Sequence, residues 1–263
     1  VTARAIVSPG RIEPSAVAAV WVRSWTVFKH FWHTRTFGAI VEPVVMLLAF
    51  GFGFGKLVSH IDGIPYLQFV GTGVVATSVL FGAVFSGMFD ALYKRRYQRV
   101  YDAMLATPVD VEEIVTGEVL WLGVRSGLYG IVPLLVACAF GLPPTPAMLL
   151  VPAIAVLTAI GFAALGMLFA SFVSTFDNLS YVIGGVITPL YLVAGTFFPL
   201  TRLPLWLRAA AQFNPLYHCV ELVRHCAFGL HPAADIVHVG ALALFALLAW
   251  RLAIWRTRAR LID

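Results

Sequence analysis

Six apolar segments, each about the length of a lipid-spanning helix, govern what this chain can become. They run Gly38–Val58, Tyr66–Phe89, Val119–Gly141, Ala147–Val173, Leu179–Leu200 and Ile236–Trp255. A hydrocarbon core ~30 Å thick takes ~20 apolar residues as a helix. Open-edged strands are excluded from it, because unpaired peptide groups are too costly in lipid. The chain is 60% hydrophobic and 12% charged, about half the charge share of a soluble domain. The expectation is an all-α polytopic membrane protein with six transmembrane helices. Short connections predict one membrane domain over residues 1–263 and no separate soluble one. Residues 1–13 read as unstructured. No cleavable leader is expected, since the first apolar segment starts late and follows Arg- and aromatic-rich sequence.

A net charge of +5 raises nucleic acid as a partner, and its distribution argues against one. Basic residues gather before the first segment (Arg4, Arg11, Arg23, Lys29, Arg35), in the 90–118 loop (Lys94, Arg95, Arg96, Arg99) and at the end (Arg251, Arg256, Arg258, Arg260). Loops 59–65 and 142–146 have none. This bias predicts both termini and the 90–118 loop on the cytoplasmic side of the cytoplasmic membrane. Arg202, Arg208 and Arg224 run against it, in a stretch placed outside.

The 90–118 loop is the only long polar segment between apolar ones, and a turn does not need that length. Thr107-Pro108 divides it into two helical pieces. Thr107 reads as the cap of the second piece, with Asp110, Glu112 and Glu113 in its first turn, where acids suit the helix dipole. The basic cluster Lys94–Arg99 also suits lipid headgroups. Helices outside the bilayer are something a partner can hold.

Residues 14–37 predict an interfacial helix. Trp21, Trp25, Phe28 and Trp32 share one face, opposite Arg23, Thr26, His30 and His33; the alternative is a helix packed on other protein. Residues 201–235 are too polar to span and too apolar for a plain loop. They predict two short helices broken at Asn214-Pro215, entering the outer leaflet as a re-entrant segment. Glu221 and Arg224 are placed there to pair at i, i+3.

Chemistry-bearing motifs are few. Gly55-Lys56 resembles the end of a phosphate-binding loop, but Phe50 and Leu57 occupy two positions that motif requires otherwise. No nucleotide site, cofactor or catalytic residue is expected in this chain. His218-Cys219 and His225-Cys226 repeat at seven residues, which is not zinc-ligand spacing. No metal is expected, and no disulfide between Cys219 and Cys226, ~10 Å apart by helical rise. Two ionisable residues stand out as candidates deep within apolar segments. Glu42 either reaches the interface, pairs with Arg35, or serves the transport pathway. Arg125 either snorkels or pairs with Glu118.

In order, these parts resemble an ABC-2 type transporter permease. The loop pattern Arg99…Leu105-Ala106-Thr107-Pro108…Ile114…Gly117-Glu118 is similar to that family's coupling-helix region. Phe198-Pro199…Leu203-Pro204…Leu207…Asn214-Pro215…Tyr217…Arg224 is similar to its extracellular re-entrant region. Glu42-Pro43, Phe50–Gly55 followed by Asp62-Gly63, Ala76-Thr77-Ser78 and Gly117-Glu118 resemble the NodJ-type branch of lipo-oligosaccharide exporters.

The resemblance implies a single ABC-2 type transmembrane domain working as an exporter's permease. A second permease chain, identical or not, completes the pathway. A separate ATPase subunit supplies ATP and magnesium. Contacts to that ATPase would fall on Arg99, Tyr101, Asp102, Leu105, Thr107 and Pro108, supported by Glu112, Glu113 and Glu118. The implied substrate is an amphipathic glycan or lipo-oligosaccharide. Glu42, Tyr191, Phe197, Phe198 and Trp206 are pathway candidates, with Trp121 and Tyr129; aromatics at span ends also serve as interface anchors. A drug exporter would use the same scaffold. A channel lacks its charge rings here. A membrane transferase would have only His218, Glu221, Arg224 and His225 to work with.

Overall fold

The computed structural model describes residues 12–55, 57–58, 60–61, 63–200 and 204–262. Residues 1–11, Lys56, Asp62, Arg202 and Leu203 lie outside the described residues, and with them the expectations placed there.

Helix α1 (Pro14–Leu48) opens on Pro14, whose missing N–H costs nothing at a first turn. It breaks at Phe31 (φ −117°, ψ 16°) and runs on into a π-helical turn, Ala49–Phe54. A two-residue hairpin follows, β1 (His60–Ile61) with β2 (Ile64–Pro65), turning at Gly63, φ +82°. Helix α2 (Tyr66–Phe85) continues through a second π turn, Ser86–Asp90, into α3 (Ala91–Arg96). The short α4 (Val100–Leu105) precedes α5 (Val111–Tyr129) and α6 (Val132–Ala139). Then come α7 (Val151–Phe172), α8 (Phe176–Val182), α9 (Thr188–Leu192), α10 (Leu205–Gln212), α11 (Pro215–Phe228) and α12 (Pro232–Leu261).

Among the described residues five helical stretches are long and apolar enough to cross a bilayer: Thr36–Phe54, Tyr66–Arg96, Val111–Ala139, Pro146–Phe172 and Pro232–Leu261. The protein is therefore a multi-pass membrane protein. The segment expected as a fifth span, Leu179–Leu200, differs. It is helical only as α8, a π turn at Ile183–Ile187 and α9, then turns from Val193 onward. Pro189 is the physical reason. It has no N–H to donate and crowds the preceding turn, which widens instead of closing as α.

Helix α7 is the centre of the bundle and packs against α2, α5 and α12. Its approach to the α2–α3 unit is a glycine-on-glycine crossing. A Cβ on Gly166 would lie 2.4 Å from the Val84 carbonyl oxygen, and one on Gly87 would lie 2.5 Å from that of Ala163. Close backbone approach between spans is what small residues permit. Phe162, Leu80 and Leu122 are fully buried around it.

The aromatic face of the N-terminal helix makes contacts within the bundle. Trp21, Trp25 and Phe28 close around Trp121 of α5, at ring-centroid distances of 5.3, 5.7 and 5.5 Å. Part of that face is covered by protein, while Trp25 stays 43% exposed. Trp32 lies past the break at Phe31 and sits against His33 instead.

The 90–118 region also differs in detail. Asp110, not Thr107, caps the helix that follows. Its side chain and that of Glu113 form a reciprocal capping box, and Glu113 Oε2 accepts the Asp110 N–H at 2.9 Å. Thr107-Pro108 lies in the turn, where Thr107 Oγ1 donates to the Met104 carbonyl. The second helical piece is the first part of α5 itself. Asp177 and Asn178 lie inside the first turn of α8.

Candidate functional site

At one end of the bundle, α4 stands between Arg99 and the Thr107-Pro108 turn. Arg99 adopts a left-handed conformation, φ 50° and ψ 34°, which redirects the chain after α3. Arg99, Asp102, Thr107 and Pro108 are exposed, and Leu105 is half-buried. The remaining loop candidates point inward. Glu113 is 4% exposed and also accepts the Glu13 N–H at 2.8 Å. Glu112 holds Arg258 of α12 at 2.8 Å. Glu118 is 1% exposed; Lys94 donates to its Oε2 at 2.5 Å, and Arg23 lies 3.8 Å from Oε1. Glu118 therefore ties α1, α3 and α5 together and does not pair with Arg125, whose side chain donates to Ser86 Oγ at 2.6 Å.

Tyr101 is the inward anchor of α4. It is 2% exposed, and its hydroxyl has no hydrogen-bond partner among the described residues. Burial, with Glu118 and Asp90 nearby, pushes its phenol pKa well above the usual value. A buried hydroxyl without a partner is a liability. Tyr101→Phe is accordingly expected to leave the thermal unfolding midpoint unchanged or raised by a few degrees. A fall of several degrees would mean that the hydroxyl does more than occupy space.

A second feature runs along the outside of the bundle. Aromatics occur at every fourth position from Phe81 to Tyr97 (Phe81, Phe85, Phe89, Tyr93, Tyr97). Successive rings are 5.3 Å apart from Phe81 to Phe85 and 6.1 Å from Phe85 to Phe89. Phe176 of α8 bridges Phe89 and Tyr97 at 5.9 and 5.4 Å, and Tyr93 lies 5.8 Å from Tyr97. In the other direction Phe81 meets Tyr191 at 5.2 Å, Tyr191 meets Phe197 at 5.6 Å, and Phe197 meets Phe50 at 4.7 Å. Phe54 extends it, 5.5 Å from Phe50. The result is one unbroken stripe of partly exposed rings.

Two pathway candidates, Tyr191 and Phe197, thus belong to one structure. Phe198 and Trp206 are exposed outside the stripe. Phe81, Phe85, Phe89, Tyr93, Tyr97 and Phe176 were not singled out from sequence, and Phe50 was named there only in its glycine-rich motif. The four-residue spacing of the α2–α3 rings was the available signal. Phe176 and Phe50 had none, because tertiary packing alone brings them in.

Glu42 is exposed on α1, across a cavity of about 230 Å³ from Arg125 of α5. The side chain of Arg35, its alternative partner, lies outside the described residues.

At the opposite end, Asn214 caps α11. Its Oδ1 accepts the Leu216 N–H at 3.0 Å, and its Nδ2 donates to the Leu190 carbonyl at 2.7 Å, so one side chain fixes the break to α9. The expected Glu221–Arg224 pair is present at 3.3 Å, and Arg224 also donates to the Gly195 carbonyl at 2.7 Å. His218, Glu221, Arg224 and His225 bond within the protein. His225 Nδ1 is 2.5 Å from Asp235 Oδ1, and His218 Nδ1 is 2.7 Å from His238 Nδ1. Among the described residues no group of three His, Cys, Asp or Glu side chains is placed to hold a metal. The cysteines are free.

Burial lowers the His218 pKa below its usual value, which favours the neutral ring in the folded protein. A depressed folded pKa means stability that is present above the unfolded value, ~6.5, and lost as pH falls below it. The thermal midpoint is expected to drop on acidification below that value, and the drop to shrink in His218→Gln. An unchanged acid dependence in that variant would assign the effect elsewhere.

A family model described as ABC-2 type transporter matches residues 15–228. Nodulation protein J of Rhizobium leguminosarum bv. trifolii is 33% identical over 245 residues, covering 93% of each chain. Nodulation protein J of Sinorhizobium fredii is 30% identical, over 93% of this chain and 94% of its own. Inner membrane transport permease YadH of Escherichia coli K12 is 27% identical, over 91% and 93%.

Proposed function

Because this chain belongs to the ABC-2 type transporter family, we propose that it is the membrane-spanning permease subunit of an ATP-driven exporter whose substrate is an amphipathic glycan of the lipo-oligosaccharide kind. The aromatic stripe carries this reading. Each ring has an apolar face, and the tyrosines add a polar edge. Such a surface can follow the C–H faces of sugars and also tolerate an acyl chain. It is a continuous path, which a small drug would not need. The relatives named Nodulation protein J point the same way.

In this reading both termini and α4 face the cytoplasm, where a separate ATPase subunit binds its own ATP and magnesium. A second permease chain, the same or different, completes the path. Arg99, Asp102, Thr107 and Pro108 meet the ATPase. Tyr101, Glu112, Glu113 and Glu118 hold α4 and α5 to the bundle, so that a push on α4 moves spans.

The test uses the reconstituted permease–ATPase complex. Asp102→Lys and Pro108→Ala are expected to lower substrate-stimulated ATP hydrolysis about tenfold, equivalent to ~1.4 kcal/mol, as altered interface anchors do. Membrane insertion stays normal. An acylated oligosaccharide should stimulate hydrolysis, and Phe85→Ala should weaken that response. Stimulation by a cationic drug-like dye alone would favour the efflux reading. Full coupling in both loop variants would remove α4 from the ATPase contact.

A further inference from the structure

The cavity between α1, α2 and α5 sets polar groups beside two rings of the stripe, with Arg125 donating to Ser86 across it. Glu42 stands on α1, and Arg125 and Ser126 on α5. Thr77, Ser78 and Ser86 line it from α2 and the turn after it, with Phe81 and Phe85 of the aromatic stripe. Gly38 and Glu42 are exposed, so its mouth lies on the α1 side.

The hydrogen-bonding inventory is mixed, and that identifies the ligand class. Ser126 is 2% exposed, and its hydroxyl has no partner among the described residues, although it lines a cavity. Ser78 and Thr77 spend their protons on the Val74 carbonyl, at 2.7 and 3.0 Å, which leaves their oxygens as acceptors. Arg125 can only donate, and an ionised Glu42 can only accept. An anionic head such as a phosphate offers acceptors alone. It would leave these hydroxyl oxygens unmet and face Glu42. A polyol both donates and accepts, and its C–H faces suit Phe81 and Phe85. The volume is about 230 Å³. At ~30 Å³ per water, that is the scale of one sugar ring, well short of a whole oligosaccharide.

We infer that this cavity is a binding site for a single neutral sugar unit of an amphipathic ligand, held by Glu42, Arg125 and Ser126 beside the aromatic stripe. The inference rests on the glycan reading above and deepens it. Glu42 and Arg125 are then recognition groups at mid-span, which explains the presence of both charges inside apolar segments. The acyl part stays outside the mouth, along α1.

The probes are dodecyl β-D-glucoside and dodecylphosphocholine, titrated onto the full chain in lipid nanodiscs. Wild type is expected to prefer the glucoside. Glu42→Gln and Ser126→Ala should each weaken glucoside binding at least about fivefold, or ~1 kcal/mol, and leave phosphocholine binding as it was. Gly82→Ala gives a third, conservative variant. Its new Cβ would stand 3.5 Å from Ser126 Cβ and narrow the cavity without a clash. Unfolding midpoints identify any variant that fails to fold, and the remaining ones decide. No glucoside preference in wild type, or equal glucoside binding in the folded variants, would overturn the site. Equal sensitivity of phosphocholine would overturn its ligand class. A failure of the exporter reading is separate: the glucoside response would persist while no acylated oligosaccharide stimulated ATP hydrolysis in the complex.

Discussion

Gly166→Leu is expected to leave less than about a tenth of the chain folded, because the crossing of α7 over α2 has no room for a side chain. A Cβ at Gly166 would stand 2.4 Å from the Val84 carbonyl oxygen and 3.0 Å from Gly87 Cα. Both obstacles are backbone, so no rotamer change relieves them. Alanine alone should be costly. Overpacking usually costs ~1–3 kcal/mol, and leucine here must push two helices apart. Against a total stability of ~5–15 kcal/mol, that separation removes the contact on which the central helix depends. The measurement is the monodisperse fraction on size exclusion after detergent extraction, at equal expression. Gly240 of α12 is the internal control. Nothing lies within 4 Å of a Cβ built there, so Gly240→Ala should behave as wild type. Normal recovery of Gly166→Leu would mean that α7 does not pack on α2 this closely.

Glu118→Ala is the second large effect, and its sign depends on what is left behind. The substitution takes from Lys94, whose side chain is only 17% exposed, the buried carboxylate to which it donates, with the cationic Arg23 nearby. Breaking a buried ion pair by removing one partner costs ~3–5 kcal/mol. Replacing both with apolar groups of similar volume is often neutral. The double variant Glu118→Leu with Lys94→Met should therefore recover most of the midpoint lost in Glu118→Ala. Arg23 remains soluble in either case, because a third of its side chain is exposed. Thermal unfolding of the three proteins in one detergent checks this. A double variant as damaged as the single one would show that the charges themselves, and not the stranded Lys94, hold the junction.

This junction also shows where sequence reasoning stopped. Glu118 was visible as an acid beside a span, and its i−7 relation to Arg125 suggested a pair along one helix. The actual partner, Lys94, is 24 residues away and on another helix. Helical spacing finds contacts within an element, whereas pairing across elements depends on how helices cross. The same limit applies to Trp121, the centre of the N-terminal aromatic cluster, which the sequence offered as a pathway candidate or a span-end anchor.

Other features were legible because their causes are local. The break at Asn214-Pro215 follows from a proline that cannot continue a helix and an asparagine that caps the next. The Glu221–Arg224 pair follows from i, i+3 geometry. The cap of α5 was misplaced by three residues, since Thr107 and Asp110 both suit a cap and only the reciprocal bond to Glu113 distinguishes them.

The sequence by itself determined that this chain lives in lipid, roughly where most of its apolar spans lie, and that it carries one extended polar loop. Those properties depend on transfer free energy and on near-neighbour backbone preference, both of which are carried by each segment alone. Only the tertiary structure decided that Glu113 and Glu118 face inward, and that rings from the π turn after α1, from α2, α3, α8 and α9 and from the turn after α9 join into one stripe. Those outcomes depend on which helices approach closely enough to share a surface. That approach is set by small residues such as Gly87 and Gly166 acting together across the bundle.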